Sequence, residues 1–238
     1  MEIREPERLT PVVAEADVVV VGSGPGGLSA AIAAARAGVS VILIERFGCF
    51  GGNITSVGVE GFAWYRHEKT IEAGGLAFEY EQRAIENNAA VPESQSKSYE
   101  LDSEGFKVVA DNLVLKAGVR PMLHRAFCSP ILEGNEIRGV ITESKAGREA
   151  IMGKIIIDAT GDADVARRSG VTVFKNSKDD MISASVMFHM SGVNKEEFMN
   201  EIERDPQKYS DWSDKNWQVQ TSGKEDDMFS PFLRKPFE

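Results

Sequence analysis

The stretch from Val18 to Gly27 reads Val-Val-Val-Val-Gly-Ser-Gly-Pro-Gly-Gly and decides the fold of this chain. The four valines predict a buried strand, and Gly22, Gly24 and Gly27 complete the pattern G-x-G-x-x-G. In this pattern the first glycine makes a tight turn, the second lets a pyrophosphate approach the backbone, and the third allows close helix packing. The stretch therefore predicts the strand, turn and helix of a dinucleotide-binding unit.

The residues that follow the turn support this interpretation. The Ala-rich segment Leu28 to Ala37 predicts a helix that ends before Gly38, and Val39 to Ile44 predicts a second buried strand. Glu45 ends that strand, roughly 20 residues after the turn, where a carboxylate can accept hydrogen bonds from both hydroxyls of an adenosine ribose. The helix N-terminus would attract a diphosphate through its free N–H groups and dipole. A glycine-rich turn without a ligand is the alternative.

A second glycine pair follows the predicted ribose-binding carboxylate. Residues 46–55 read Arg-Phe-Gly-Cys-Phe-Gly-Gly-Asn-Ile-Thr, which is unlike the ordinary continuation of a nicotinamide dehydrogenase. A cofactor that extends well beyond its pyrophosphate needs a second place where the backbone comes close. Gly51 and Gly52 are candidates for that place, and a flexible surface turn is the alternative.

A third strand, turn and helix are predicted near the middle of the chain. Lys154 to Asp158 predicts a short apolar strand, and Ala163 to Ser169 predicts a helix closed by Gly170. Between them lies Ala-Thr-Gly followed by Asp162, which we expect either to cap the helix or to contact a cofactor.

The segment before this unit predicts antiparallel strands. Gly118 to Arg125 predicts one strand, and Phe127 to Leu132, Ile137 to Ser144 and Arg148 to Met152 predict three more, joined by Glu-Gly-Asn and Lys-Ala-Gly turns. Two helices are predicted upstream, Gly75 to Asn88 and Phe106 to Lys116, with an exposed polar loop from Glu93 to Ser103 between them.

Three of these segments together resemble the FAD-dependent oxidoreductase family, whose FAD domain is related to those of glutathione reductase and fumarate reductase. They are V-V-G-S-G-P-G-G, L-I-E-R-F-G-C-F-G-G-N and I-I-D-A-T-G-D-A-D-V-A-R-R-S-G, and the resemblance spans about residues 17–193. It implies FAD as cofactor. It also implies an α/β fold: a Rossmann-like FAD/NAD(P)-binding domain with a parallel sheet, in which an antiparallel β-meander replaces the usual helical crossover.

The resemblance also implies a role for each motif. Gly22 to Gly27 would cradle the pyrophosphate, Glu45 would hold the ribose, and Arg46 would lie beside the adenine. The second glycine pair would approach the phosphates and ribityl chain, the Ala-Thr-Gly segment would pass under the first turn, and the backbone near Phe127 would face the adenine. The predicted cofactor-binding residues are Gly22, Ser23, Gly24, Pro25, Gly26, Gly27, Glu45, Arg46, Gly51, Gly52, Asn53, Phe127, Ala159, Thr160 and Gly161.

The last quarter of the chain predicts the beginning of a second domain. We assign residues 1–175 to the FAD-binding domain and residues 176–238 to an incomplete substrate or cap domain. Met181 to Met190 alternates like a half-buried strand, and Lys195 to Arg204 predicts a helix. The aromatic-rich tail has no periodicity, and no late strand with the family's Gly-Asp pair follows. We therefore expect a truncated chain, or one that a partner chain completes, and the catalytic acid and base stay unknown.

Composition limits the partners and the compartment. The net charge is −10, and the basic residues form no long run, so we expect no nucleic-acid partner. The N-terminus has no apolar signal region and no window predicts a membrane span. Two cysteines, Cys49 and Cys128, fit a reducing, cytoplasmic compartment. Because no second cysteine stands near Cys49, we do not expect it to form a redox pair.

The histidines predict no metal site, because His67, His124 and His189 lack further ligands at metal-binding spacing. His124 falls within a predicted strand, where a structural role is expected. Tyr65, Arg66 and His67 follow the second glycine pair and are candidates for substrate contact, with an ordinary surface loop as the alternative.

The sequence favours an FAD-dependent oxidoreductase that transfers a hydride between a small-molecule substrate and the flavin. A homo-oligomer or a completing chain is the expected macromolecular partner. An NAD(P)-dependent dehydrogenase is one alternative, and a non-catalytic FAD-binding fragment or subunit that needs another chain is the second. Fold analogy alone does not identify the reaction.

Overall fold

A computed structural model describes residues 3–4, 6–62, 66–67, 71–72, 74–92, 99–181 and 190–204 of the chain. It divides into two units, Met1–Ser185 and Val186–Glu238. The elements are β1 (Val12–Val21), α1 (Pro25–Arg36), β2 (Val41–Ile44), β3 (Arg66–His67), β4 (Ile71–Glu72), α2 (Leu76–Glu86), β5 (Ala90–Pro92), β6 (Tyr99–Leu101), α3 (Ser103–Lys116), β7 (Arg120–Met122), β8 (Ala126–Glu133), β9 (Glu136–Ser144), β10 (Gly147–Asp158), α4 (Asp164–Arg168) and α5 (Lys195–Arg204), with short 3₁₀ turns at Gly52–Ile54 and Lys178–Asp180.

The first unit is built on one sheet of six strands in the order β7-β2-β1-β10-β9-β8. The first four strands in this order run parallel, and β9 and β8 add antiparallel pairings at one edge. Val18 on β1 lies between Val41 on β2 and Ile155 on β10, so the valine run is the centre of the sheet. This arrangement confirms the predicted α/β fold with a parallel sheet and an antiparallel meander.

Alternate side chains of β1 enter two separate cores, one on each face of the sheet. Val18 and Val20 pack with Leu28 of α1, while Val19 and Val21 pack with Val165 of α4 on the other face. This two-sided burial explains why the strand reads as a continuous apolar run instead of an alternating one. On the helical face, the rings of Tyr80, Phe106 and Phe62 meet edge to face around Phe106, with centroids about 6 Å apart.

The last strand of the meander and the strand predicted at Lys154 to Asp158 are one continuous element, which corrects the sequence prediction. Arg148 to Met152 and Lys154 to Asp158 were expected to be separate strands, but β10 runs through both. Residues 147–152 pair with β9, and residues 150–158 pair with β1. Gly153 interrupts the pattern without breaking the strand. A Cβ built on it would lie 2.7 Å from Cγ2 of Val19, so the glycine permits close packing at this point.

Two further predictions need correction at the ends of elements. The predicted strand Gly118 to Arg125 is only three residues long in the structure, because His124 adopts a left-handed conformation with φ of 57° and is exposed. The polar loop predicted for Glu93 to Ser103 contains β6, where Leu101 is fully buried, and α3 begins at Ser103. Residues 93–98 of that loop lie outside the described residues.

The predicted helices are confirmed as α1, α2, α3, α4 and α5, with small shifts at their ends. Residues 182–189 of the predicted strand Met181 to Met190 lie outside the described residues, as does the aromatic-rich tail. The domain boundary near residue 175 stays a prediction. In the described part of the chain, no helix has the length and apolar character needed to span a membrane.

Candidate functional site

The first glycine turn joins β1 to α1 against the segment that follows β10. Gly22 has φ of +94°, and a Cβ built on it would lie 2.6 Å from the carbonyl oxygen of Ala159. The backbone N–H of Ala159 donates to the carbonyl of Val21 at 2.9 Å. The Ala-Thr-Gly segment therefore passes directly beneath the turn, and only glycine fits at position 22.

The remaining glycines of this turn divide into one that packs and two that leave space open. A Cβ on Gly27 would lie 1.9 Å from the carbonyl oxygen of Gly22, so Gly27 allows α1 to sit against the turn. Ideal Cβ positions on Gly24 and Gly26 have no neighbouring heavy atom within 4 Å. No side chain caps the N-terminus of α1, where Pro25 occupies the first turn. The open space thus lies at a helix N-terminus, the place where proteins bind diphosphates.

The second glycine pair is brought against the first turn. The N–H of buried Gly51 donates to the carbonyl of Ser23 at 2.9 Å, and a Cβ on Gly52 would lie 2.8 Å from Cα of Gly24. Both residues have positive φ, +112° and +57°. These contacts fit the predicted second close approach and do not fit the alternative of a flexible surface turn. Asn53 follows with an exposed side chain, and its carbonyl accepts the N–H of Val59.

Glu45 holds its carboxylate against the same turn. It is 7 % exposed, and its Oε2 accepts both the backbone N–H of Ser23 at 2.9 Å and the Ser23 hydroxyl at 2.6 Å. Its Oε1 accepts the N–H of Phe47 at 2.9 Å. The strand end and the glycine turn are therefore linked through one buried carboxylate, beside the open space at Gly24.

The segment expected near the adenine is exposed. Arg46 extends its guanidinium over the ring of Phe47, 4.5 Å from the ring centroid. The His124 ring lies against Gly48, since a Cβ there would be 2.7 Å from Cε1. Phe127 is partly buried near the start of β8, and the Arg168 guanidinium lies 5.7 Å from the centroid of its ring.

The turn after β10 corrects one of the two predicted roles of Asp162, the helix cap, and leaves contact with a cofactor as a prediction. The carboxylate that organises this turn belongs to Asp158, whose Oδ2 accepts the N–H of Ala166 at 2.8 Å and whose Oδ1 accepts the N–H and hydroxyl of Thr160. The Thr160 oxygen in turn accepts the N–H of Asp164 at 2.8 Å. Asp162 is exposed and makes no capping bond to α4. Sequence reasoning missed Asp158, although a carboxylate at the end of a predicted strand was a usable signal.

The candidates for substrate contact are only partly placed by the structure. Arg66 and His67 form β3, which pairs with β4, and Tyr65 lies outside the described residues. Cys49 is partly buried with its Sγ 3.7 Å from the Ser56 hydroxyl, and both Cys49 and Cys128 are free thiols. Among the residues that the structure describes, no group of three His, Cys, Asp or Glu side chains is arranged to hold a metal ion.

The sequence profile of the family described as "FAD dependent oxidoreductase" matches residues 17–236. The chain therefore belongs to the FAD-dependent oxidoreductase family. This confirms the expected resemblance, the flavin-dependent class of enzyme and FAD as the cofactor of that class.

Part of the chain is also similar to a protein of known name. Thiamine thiazole synthase of Saccharolobus islandicus (strain L.S.2.15 / Lassen #1) is 33% identical over 162 residues, which cover 63% of this chain and 57% of that protein. The chain thus spans a little over half the length of this relative.

A solved structure shares the fold at lower sequence identity. A triple mutant of the flavin-dependent brominase Bmp2 is 22% identical with a TM-score of 0.50, covering 66% of this chain and 41% of that one. Thermovibrio ammonificans THI4 is 22% identical with a TM-score of 0.48, covering 66% of this chain and 64% of that one.

Proposed function

We propose that this chain binds FAD at the two converging glycine segments and acts as the cofactor-binding part of an oxidoreductase. The reaction would transfer a hydride between a small-molecule substrate and the flavin. The observation that carries the proposal is the contact of Gly52 with Gly24 at the uncapped N-terminus of α1. Two close approaches of the backbone suit a cofactor that extends on both sides of its diphosphate, and the family match over residues 17–236 favours FAD over a nicotinamide dinucleotide.

The residues present fit this cofactor. The open positions at Gly24 and Gly26 leave room for a diphosphate, and the N–H groups and dipole of α1 favour its charge. The buried carboxylate of Glu45 is a hydrogen-bond acceptor for the ribose. When bound, FAD supplies the group that accepts or releases a hydride, and the chain supplies binding and orientation.

The substrate, partners and compartment are proposed from composition and coverage. A net charge of −10 argues against a nucleic-acid partner. We propose no membrane partner. Two free cysteines suit a cytoplasmic protein. A second copy or another chain is the partner we propose. The match to thiamine thiazole synthase covers 57% of that protein, so it identifies no particular substrate for this chain.

The first test is the visible absorption spectrum of the purified chain, with mass spectrometry of the small molecule released by heat. We expect a flavin spectrum and released FAD, or uptake of added FAD by colourless protein. Protein that stays colourless with added FAD and binds NAD instead would overturn the proposal in favour of a dehydrogenase.

Gly24→Val gives the matching variant test. Gly24 has φ of −60° and open space at its Cβ, so valine should leave the fold intact while filling the diphosphate position. We expect FAD binding to be abolished in this variant. Ala33→Val adds similar bulk at an exposed position of the same helix and should retain FAD. Undiminished flavin affinity in Gly24→Val would contradict the proposed site.

A further inference from the structure

We infer that Ser23 is a positioning residue, whose hydroxyl fixes the Glu45 carboxylate for contact with the ribose of the bound cofactor. The inference rests on the proposed function, because the ligand concerned is FAD. It assigns a role to a residue that the glycine pattern leaves variable.

Ser23 lies at the junction of three parts of the site. Its backbone N–H and its hydroxyl both donate to Oε2 of Glu45, at 2.9 and 2.6 Å, and its carbonyl accepts the N–H of Gly51 at 2.9 Å. The side chain of Ser23 is fully buried. The hydroxyl is the one contact of the three that depends on the side chain, since every amino acid except proline supplies both the N–H and the carbonyl.

The hydroxyl decides which oxygen of Glu45 is available. A carboxylate offers about four acceptor positions, two on each oxygen. Ser23 occupies both positions of Oε2, and the N–H of Phe47 occupies one position of Oε1. Among the residues that the structure describes, no other donor reaches the Glu45 carboxylate, so one position on Oε1 is left for one ribose hydroxyl and not for the two that the sequence predicted. The carboxylate would then meet the ligand in a single orientation.

Burial makes this arrangement energetically significant. Glu45 is 7 % exposed, so its hydrogen bonds act in a medium less polar than water and are correspondingly stronger. Glutamate has three rotatable side-chain bonds, and holding it before the ligand arrives removes an entropic cost from binding. Loss of the Ser23 hydroxyl would leave the carboxylate with fewer fixed bonds and a larger cost of ordering.

The test compares dissociation constants for FAD, measured by titration of apoprotein, across a double-mutant cycle of wild type, Ser23→Ala, Glu45→Ala and the double variant. We expect Ser23→Ala to weaken FAD binding about tenfold, as for loss of a hydrogen bond to a charged group. In the Glu45→Ala background the same change should add nothing measurable, because the carboxylate through which Ser23 acts is absent.

Ser103→Ala is the matched control. Its hydroxyl donates to Oε1 of Glu60 at 3.0 Å, so the change removes another serine–glutamate hydrogen bond away from the glycine turns. We expect its FAD affinity to equal that of the wild type. Thermal unfolding of the apoproteins checks that both serine variants fold.

The outcomes separate the two claims. Equal FAD affinity of Ser23→Ala and wild type would overturn the role of Ser23 and leave the proposed function standing. Equal weakening by Ser23→Ala in both backgrounds would show a purely structural role and also overturn it. A wild-type chain that takes up no FAD would overturn the proposed function and this inference together.

Discussion

At the scale of single residues, the glycines of the first turn have two different roles, close packing and leaving space open. Gly22 and Gly27 are in contact with other parts of the chain, while the Cβ positions of Gly24 and Gly26 are empty. The spacing of the pattern was readable from the sequence. The division between glycines that pack and glycines that leave room was not, because it depends on where Ala159 lies, far along the chain.

This division predicts that two similar substitutions affect different properties, one the stability of the protein and the other its binding of the cofactor. Gly22→Ala should destabilise the protein by about 2 kcal/mol or more, because alanine at φ of +94° is strained and its Cβ would meet the carbonyl of Ala159. Gly24→Ala should change stability little and act on cofactor binding instead. Urea unfolding of the two apoproteins measures the difference, and equal stability of the variants would contradict the assignment.

The turn after β10 provides a second residue-scale prediction. Asp158→Ala should destabilise the protein by about 1–2 kcal/mol, since it removes the acceptor for the N–H of Ala166 and for Thr160. Asp162→Ala should be close to neutral because Asp162 is exposed and does not cap α4. The midpoints of chemical denaturation test this pair, and a larger loss for Asp162→Ala would restore the sequence-based expectation.

At the scale of elements, the predictions succeeded where a periodic pattern had its own local signals. The helix α1 is bounded by a glycine turn and Gly38, and β1 is an apolar run of adequate length. The predictions failed where a contact with a residue distant in sequence determines the local structure. Gly153 looks like a strand end but packs against Val19. Leu101 lies in a polar stretch but pairs with Ala90 of β5 and is buried in the core on the helical face of the sheet. Neither contact has a signature within a short window of sequence.

The contact between α1 and α2 gives an element-scale prediction with a pH dependence. Arg36 donates two hydrogen bonds to Glu79, at 2.7 and 2.9 Å, and this guanidinium lowers the pKa of the Glu79 carboxyl below its ordinary value of 4.5. A lowered pKa in the folded state means that the pair stabilises the protein above the ordinary glutamate pKa. That stabilisation is lost as the pH falls through the lowered pKa.

Glu79→Gln should therefore cost up to about 1 kcal/mol at neutral pH, a modest value because the pair is partly exposed. The difference between variant and wild type should vanish in acid. Unfolding free energies measured from neutral pH to below pH 4.5 test this, and a constant difference would show that the carboxyl charge does not contribute.

At the scale of the whole molecule, the family and the fold were predictable because three different motifs of the family occur at separate points of the chain. In the structure these motifs meet in space. The resemblance from residue 17 to 193 agrees with the family match over residues 17–236. The substrate was not predictable, since the residues that carry the family signal are those that surround the cofactor. The named cofactor-binding residues and the domain boundary stay predictions.

Binding of FAD should stabilise the whole first unit by mass action. At free FAD about 100-fold above its Kd, we expect roughly 2.7 kcal/mol of added stability and a rise of several degrees in Tm. Thermal scans at increasing FAD concentration measure the effect. Gly24→Val is the control that should show no rise, and an FAD-dependent rise of equal size in that variant would place the binding elsewhere.

The continuity of β10 has a mechanical consequence for the molecule. One end of this strand is hydrogen-bonded into the meander, and the other ends at Asp158, immediately before the residue that supports Gly22. Because one continuous strand is hydrogen-bonded to β9 along one part and to β1 along the other, loss of one pairing weakens the other. We therefore expect the meander and the cofactor turn to open as one cooperative unit and not as separate ones. Amide protons of β9 should thus exchange more slowly when a ligand sits at the far end of the neighbouring strand.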